Sequence, residues 1–259
     1  MQGRMAVVGD WAVEHARSKS MRIVVWNAHQ ALDRKQDALN RLRPDIAVIP
    51  ECADDIEAPD GSFLWVGKNH SKGLGVLSYG DYRLSRIGND PQVRWAIPIS
   101  VTGPHAFFLL ALWNMPPYEQ DQQAVESYRR QLVTGPAVVA GDFNRVPDLQ
   151  LQNGATWEWG DTAPKDAKLF LGDTASVSAY HKYRHEAPGE ETRWTHYWLY
   201  RRRKRFHFDY CFIPESWRLN SVDVGSFHSW VHARLSDHVP LVVDVYPTAR
   251  WRSDARRAA

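Results

Sequence analysis

Cysteine is nearly missing from this chain. Only Cys52 and Cys211 occur in 259 residues, which excludes a disulfide framework and, with no CxxC spacing, a thiolate metal site. Both are expected to be small core residues of a protein kept in a reducing compartment. A long apolar run is missing too. Residues 1–20 mix charges with short apolar stretches and hold no continuous apolar core of signal-peptide length, so export through a standard signal is not expected and a cytoplasmic location is. Nor is there an excess of one charge. With 32 Lys and Arg against 30 Asp and Glu, the net charge is +2, which leaves no strongly basic body to hold a polyanion by counterion release alone. The chain has no internal repeat, no HExxH, no GxSxG and no phosphate-loop or dinucleotide glycine pattern. Zinc protease, serine hydrolase and thiol redox chemistry therefore lack support.

What is present is apolar and strand-rich. At 44% hydrophobic content the chain can bury one large core, and β folds of this size commonly stay single domains. Short β-rich runs cover Ile23–Trp26, Ile46–Ile49, Phe63–Val66, Leu74–Ser78, Val93–Val101, Phe107–Trp113, Ala137–Ala140, Phe206–Ile213 and Val239–Val245. Apolar residues recur at helical spacing only over Ala31–Leu42 and Glu119–Val133. Strands outnumber helices without a strict β-α repeat, which argues for two packed sheets flanked by helices. Met21 directly precedes the first strand. The expected organisation is an extension over 1–20, dispensable for activity, and one catalytic domain over 21–259.

Five polar signatures stand at the ends of these apolar runs: Trp26-Asn27, Glu51, Gly141-Asp142-Phe143-Asn144, Asp209-Tyr210 and Ser236-Asp237-His238. The ends of rigid strands are where reactive groups are best held. Glu51 offers a hard carboxylate suited to Mg²⁺ or Mn²⁺. Asp142 and Asn144, two apart, share a face, while Gly141 permits close backbone approach. Asp237 and His238 are adjacent, so both reach one site only from a bend before the last strand. His207, at i and i+2 with Asp209, is expected on the same face and lining the cleft, or else as a hydrogen-bonded histidine at the sheet edge.

The ordered set Asn, Glu, Asp-x-Asn, Asp, Asp-His resembles the endonuclease/exonuclease/phosphatase superfamily, to which exonuclease III and pancreatic-type deoxyribonuclease belong, and the resemblance spans residues 21–245. It implies an α/β fold, a four-layer α-β-β-α sandwich of two mostly antiparallel sheets flanked by helices. It also implies roles: Glu51, Asn27 and Asp237 at a Mg²⁺ or Mn²⁺ ion, Asp142 orienting or deprotonating the attacking water, Asn144 on the phosphate, and His238 on the scissile group. Asp209 would hold the other ring nitrogen of His238 and favour the imidazolium.

The chain also departs from that pattern. Pro50 stands where relatives usually carry Gln, and His29 where they carry Asp or Asn, so His29 is either a replacement near the ion or a loop residue. In Leu110–Tyr118, where relatives place a second catalytic histidine or a tyrosine, neither is evident; Asn114 or Trp113 is the candidate for that position, the alternative being a loop stiffened by Pro116-Pro117. Lys72, in the glycine-rich lead Asn69–Val76, is a candidate phosphate contact or a solvated turn lysine. The basic run Arg201–Arg205 is expected to cap a surface hairpin, as a solvated turn or as a contact to a phosphate backbone, beside Trp194, Tyr197, Trp198 and Tyr200, which suit base stacking or core packing.

The expected protein is a divalent-metal-dependent phosphodiesterase, foremost a nuclease cutting DNA or RNA by in-line attack of water, monomeric, with a nucleic-acid substrate, no membrane and no obligatory protein partner. Two alternatives stay open. One is a phosphatase or phosphodiesterase of inositol phosphates or phospholipids; the other is a catalytically silent nucleic-acid-binding module.

Overall fold

A computed structural model describes residues 20–58, 61–88, 93–115, 120–144, 149–150, 156–157 and 175–248. The expected extension, Tyr118 and Glu119 lie outside them. Two six-stranded sheets pack face to face. The first has the order β15-β16-β1-β2-β4-β3 and the second β11-β14-β8-β7-β6-β5. In the first, β1 (Met21–Val25) and β2 (Ile46–Cys52) are followed by the hairpin β3 (Phe63–Asn69) and β4 (Lys72–Ser78), with β15 (Arg218–Val224) and β16 (Leu241–Tyr246) closing the other edge. In the second, β5 (Arg83–Arg86), β6 (Ala96–Thr102), β7 (Phe107–Trp113) and β8 (Ala137–Asp142) are joined by β11 (Ser176–Ser178) and β14 (Asp209–Pro214). Two-residue ladders, β9 (Leu149–Gln150) with β10 (Thr156–Trp157) and β12 (His196–Tyr197) with β13 (Arg205–Phe206), stand apart.

Each sheet is antiparallel except at its centre, where β1 runs parallel to β2 and β7 parallel to β8. The carboxyl ends of these four strands carry Asn27, Glu51, Asn114 and Asp142 toward one edge of the sandwich. Period-two alternation divides the residues of β7 between two layers: Phe107, Leu109, Ala111 and Trp113 join the core between the sheets, while Phe108, Leu110 and Leu112 face the cluster under the helices. That outer cluster holds Ala124, Val125 and Leu132 from α2 (Gln120–Ser127) and α3 (Arg129–Thr134). A bidentate pair, Arg22 Nε and Nη2 to the Asp244 carboxylate at 2.7 and 2.8 Å, fixes the register of β1 on β16.

The expected sandwich is present, with corrections in its helices. Ala31–Leu42 is not one helix but a 3₁₀ turn, Leu32–Arg34, and a short α1 (Gln36–Asn40), because Ala31 is left-handed and Lys35 has a non-helical φ of −124°. The second expected helix is cut at Tyr128, with φ −110°. A helix not anticipated, α4 (Ala179–Arg184), is N-capped by Ser178 and touches β14 and β15. The expected strand Phe206–Ile213 is also divided: β13 pairs with β12, β14 pairs with β8 and β11, and residues 207–208 carry the chain between them.

Candidate active site

The site has a closed half built by the second sheet. At the end of β8, Asp142 lies directly opposite Asp209 of β14 in the antiparallel register. Both carboxylates are fully buried, a costly arrangement for like charges unless each is compensated. His238 compensates Asp209 through a 2.8 Å hydrogen bond between Nδ1 and Oδ2, and its Nε2 faces Asp142 Oδ2 across 4.0 Å. Asp142 accepts from Asn27 Nδ2 at 2.9 Å, from the Asn144 backbone N–H at 2.9 Å and from Asn144 Nδ2 at 3.2 Å. Gly141 makes this possible: its φ is +150°, and a Cβ there would collide with the Leu112 carbonyl of β7.

Electrostatics follow from that burial. Desolvation and the charge of Asp209 raise the Asp142 carboxyl to about 7, against the opposing pull of His238 and Asn27. Burial opposes the charge on His238, but Asp209, by charge and by hydrogen bond, together with Asp142 and Asp237, outweighs it and raises the imidazole to about 10. His238 is thus held toward its charged form, and Asp142 is pushed toward its neutral one.

The open half comes from the first sheet. Glu51 sits at a bulge in β2 with φ +57°, half-buried, and takes a 3.3 Å contact from Asn27 Nδ2 and an ion pair from Lys72 Nζ at 3.0 Å. Asn27 is thus the link between halves, its amide nitrogen serving Glu51 and Asp142 while its oxygen accepts from His29 N at 2.9 Å. Asp237 occupies the expected bend before β16, with His29 Nδ1 at 3.2 Å on one oxygen and His196 Nε2 at 3.7 Å on the other. Burial opposes its charge, yet contacts with His196 and His29 hold its carboxyl far below the usual range.

The structure brings Asn27, His29, Glu51, Lys72, Asp142, Asn144, Asp209, Asp237 and His238 to one edge of the sandwich. Asn114 is there but buried: its N–H donates to the Asp142 carbonyl at 2.8 Å and its side chain to the Phe143 carbonyl at 3.1 Å, so it braces the Asp142 strand end. Both N–H bonds of the Asn144 amide are engaged, to Asn114 O and to Asp142. A phosphate contact by Asn144 requires one of these to be released. His207 does not share the face of Asp209, because the chain changes ladders between them. It is buried against Tyr180, with Nδ1 bonded to the Arg193 carbonyl at 2.9 Å.

Two contributors, His196 and Thr195, carried no recognised signal, and a third, Ser236, stood in the Ser236-Asp237-His238 signature without an assigned role. His196 is buried beside His238, ring centroids 4.4 Å apart, and pairs with it as an isolated bridge. Thr195 Oγ1 accepts from the N–H groups of Phe208 and Asp209, fixing the start of β14. Ser236 Oγ donates to the Asn27 carbonyl at 2.8 Å and accepts from His238 N at 2.9 Å, tying the two halves together.

The donor set fits a hard divalent cation. Glu51 and Asp237 are carboxylates at the cleft mouth, and each carries a cationic or imidazole partner, Lys72 or His29, so positive charge is already drawn to both. Among the described residues, the His and acidic groups whose ligand atoms lie within 4.8 Å of one another are His196–Asp237–His238 and Asp142–Asp209–His238.

No family model and no curated protein matches the sequence. Solved structures do match. The 3′ phosphatase NExo from Neisseria, bound to a product DNA hairpin, aligns with a TM-score of 0.60 at 18% identity, over 86% of this chain and 98% of that one. The AP endonuclease LMAP from Leishmania major gives 0.62 at 14% identity over 89% of each chain. The human Nocturnin catalytic domain with bound sulfate gives 0.59 at 18% identity, over 89% of this chain and 94% of that one. Over most of its length, the chain has the fold of the endonuclease/exonuclease/phosphatase structures.

Proposed function

We propose that this protein is a divalent-metal-dependent phosphodiesterase that hydrolyses nucleic-acid phosphodiester bonds. The observation that carries the reading is the buried Asp142 and the Asp209-backed His238 facing each other across 4.0 Å. An oxygen about 2.8 Å from both groups, the usual hydrogen-bond length, completes a triangle on that base. A proton acceptor and a positively charged ring thus stand across a separation that one water oxygen can bridge.

A water placed there is oriented by Asp142, which accepts its proton as the oxygen attacks phosphorus in line with the leaving oxygen. The imidazolium of His238, on the side of the attacking water, stabilises the charge that builds on the phosphoryl oxygens, while the leaving oxygen, on the opposite side of phosphorus, takes its proton from solvent as the P–O bond breaks and Asp142 returns its own to solvent. Asp209 fixes the tautomer and orientation of that ring. Lys72 offers a further N–H donor at the rim, whereas both N–H bonds of the Asn27 amide are held by Glu51 and Asp142. Glu51 and Asp237, with Asn27 beside them, would hold Mg²⁺ or Mn²⁺, which would supply positive charge against the phosphate oxygens.

Two observations favour a nucleic-acid polymer over a small ester. The basic run Arg201–Lys204 is exposed at the tip between β12 and β13, with Trp198 and Leu199 also exposed at 52% and 62%. Tyr200 links that tip to the site by an edge contact to His29, centroids 5.9 Å apart. Charge and stacking surface of this kind suit a phosphate backbone and an unpaired base. NExo is a 3′ phosphatase bound to product DNA and the Leishmania protein an AP endonuclease, which is consistent with this choice. Among the described residues no helix is long and apolar enough to cross a membrane.

The test is incubation of purified protein with single- and double-stranded DNA, abasic DNA, RNA and soluble phosphomonoesters, with Mg²⁺, Mn²⁺ or chelator, beside Asp142→Asn. Metal-dependent cutting of a polymer, lost in the variant, is the expected result. Release of phosphate from small esters alone assigns a phosphatase instead, and chelation-insensitive binding without turnover a binding module.

A further inference from the structure

The loop after β1 is strained in a way that ordinary turn formation does not require. His29, Gln30 and Ala31 are consecutive non-glycine residues with φ of 49°, 65° and 47°. Each left-handed residue of this kind costs on the order of 1 kcal/mol and persists only where its surroundings enforce it. Here they do. Lys35 Nζ donates to the carbonyls of Ala28 and Gln30 at 2.7 and 2.8 Å, Gln30 N donates to Glu51 O at 2.7 Å, and Ala28 N donates to Pro50 O at 2.9 Å. What the loop gains is placement: the His29 ring is delivered to Asp237, Nδ1 to Oδ1, at 3.2 Å.

The other oxygen of Asp237 faces a second imidazole, His196 Nε2, at 3.7 Å, which exceeds a hydrogen bond. Two nitrogens therefore bracket one carboxylate. Donor atoms around a cation with bonds of about 2.1 Å lie roughly 3–3.5 Å apart, and the His29–Asp237 separation falls within that span.

We propose that the cation at this site is bound through imidazole nitrogen as well as carboxylate oxygen, by His29 and Asp237 with Glu51 and with His196 behind, and that the site selects Mn²⁺ over Mg²⁺. Nitrogen donors add affinity for first-row transition ions, whereas Mg²⁺ keeps oxygen ligands and water. The inference rests on the phosphodiesterase reading only in taking a divalent ion to bind here.

The experiment is pulsed electron paramagnetic resonance of the full chain loaded with Mn²⁺, together with competitive titration of Mn²⁺ against Mg²⁺, for the wild type, His29→Asn and His196→Gln. His29 is 44% exposed in its side chain, so its substitution leaves the core untouched. The expected result is a ¹⁴N coupling of directly bound imidazole in the wild type, weakened in His29→Asn, with a Mn²⁺ preference of about tenfold or more that falls at least about threefold in that variant. Mn²⁺ bound with no ¹⁴N coupling, or a coupling and preference unchanged in both variants, overturns it. Cutting of nucleic acid in Mg²⁺ without ¹⁴N coupling removes this inference and leaves the phosphodiesterase reading standing; nitrogen-coordinated Mn²⁺ without any hydrolysis does the reverse.

Discussion

Among the described residues, two histidines hydrogen-bond a largely buried carboxylate, His238 within the proposed reaction centre and His181 outside it. His238 meets Asp209 at 2.8 Å; His181, on α4, meets Glu191 at 3.0 Å. The bond is nearly the same, but the second nitrogen differs. In His181 it is engaged by Ser178 Oγ at 2.8 Å, and the neighbouring bonds from Thr192 and Tyr180 to Glu186 and from Arg193 to Val224 bind the 186–193 segment to α4 and β15. In His238 it points across 4.0 Å to a second carboxylate. A pairing with a carboxylate fixes an imidazole in both places; what sets His238 apart is a second ring nitrogen that faces another carboxylate instead of being hydrogen-bonded.

The comparison fails first if the two pairs respond alike to removal. His238→Ala and Asp142→Asn are each expected to lower kcat on a cleaved phosphodiester by at least about 10²-fold, the scale for losing a positioned proton acceptor or charge stabiliser. His181→Ala is expected to leave kcat within a small factor. Steady-state kinetics alongside circular dichroism checks both, and an equal loss of kcat in folded His181→Ala ends the distinction.

Stability is expected to show the opposite order. His181→Ala leaves Glu191 with its main partner gone, and side-chain exposures of 11% and 7% leave little water to replace it. A loss of about 2 kcal/mol in the urea unfolding free energy is expected, in the range for breaking a largely buried hydrogen-bonded pair. His181→Gln, which can still donate to Glu191, should recover part of it.

How legible this was in the sequence differs between the same two regions. The reaction centre was readable because its groups stand at the ends of apolar runs: Asn27 after β1, Glu51 at the end of β2, Asp142 after Ala137–Ala140. Strand ends are local features readable from the chain, whereas the facing of Asp142 and Asp209 depends on the register of β8 and β14. The failures were nonlocal. His196 matters only because β12 forms a bridge to His238, and a two-residue strand leaves no periodic trace. His207 was placed beside Asp209 by an alternation that holds only within one strand, whereas the chain leaves one ladder and enters another between them. The helix breaks at Lys35 and Tyr128 override an apolar spacing that was itself present. α4 had a signal, Ser178 before Ala179, but six residues are too few for a helical period to register.

Acid should act on the structural pair's surroundings before it acts on the fold as a whole. Burial opposes the charge on Glu186, but hydrogen bonds from Thr192, Tyr180 and Arg184 outweigh it and lower its carboxyl to about 2 from an ordinary 4.5. Glu191 is lowered as well, burial again opposing and His181 prevailing. A depressed carboxyl stabilises the fold fully above its unfolded value and loses that contribution as pH falls through the folded one. The melting temperature should therefore decline between about pH 4.5 and 2, with a shallower slope in Glu186→Gln; identical slopes would show that this segment does not couple to global unfolding.

The smallest effect is expected at Lys72, the open half's version of the same pairing. Its ammonium lies 3.0 Å from Glu51 and 5.3 Å from the Trp113 ring centroid, with a third of the side chain in solvent. Exposed pairs of this kind contribute about 1 kcal/mol or less, so Lys72→Ala should barely move the unfolding midpoint. Its consequence lies elsewhere. While Lys72 holds one Glu51 oxygen, a divalent cation must displace it or share that carboxylate, and removing the ammonium should raise Mn²⁺ affinity by a few-fold in titration at low salt. A fall in affinity instead would mean that Lys72 positions Glu51 for the cation, which would make the open half as dependent on a fixed partner as the buried Asp209 is on His238.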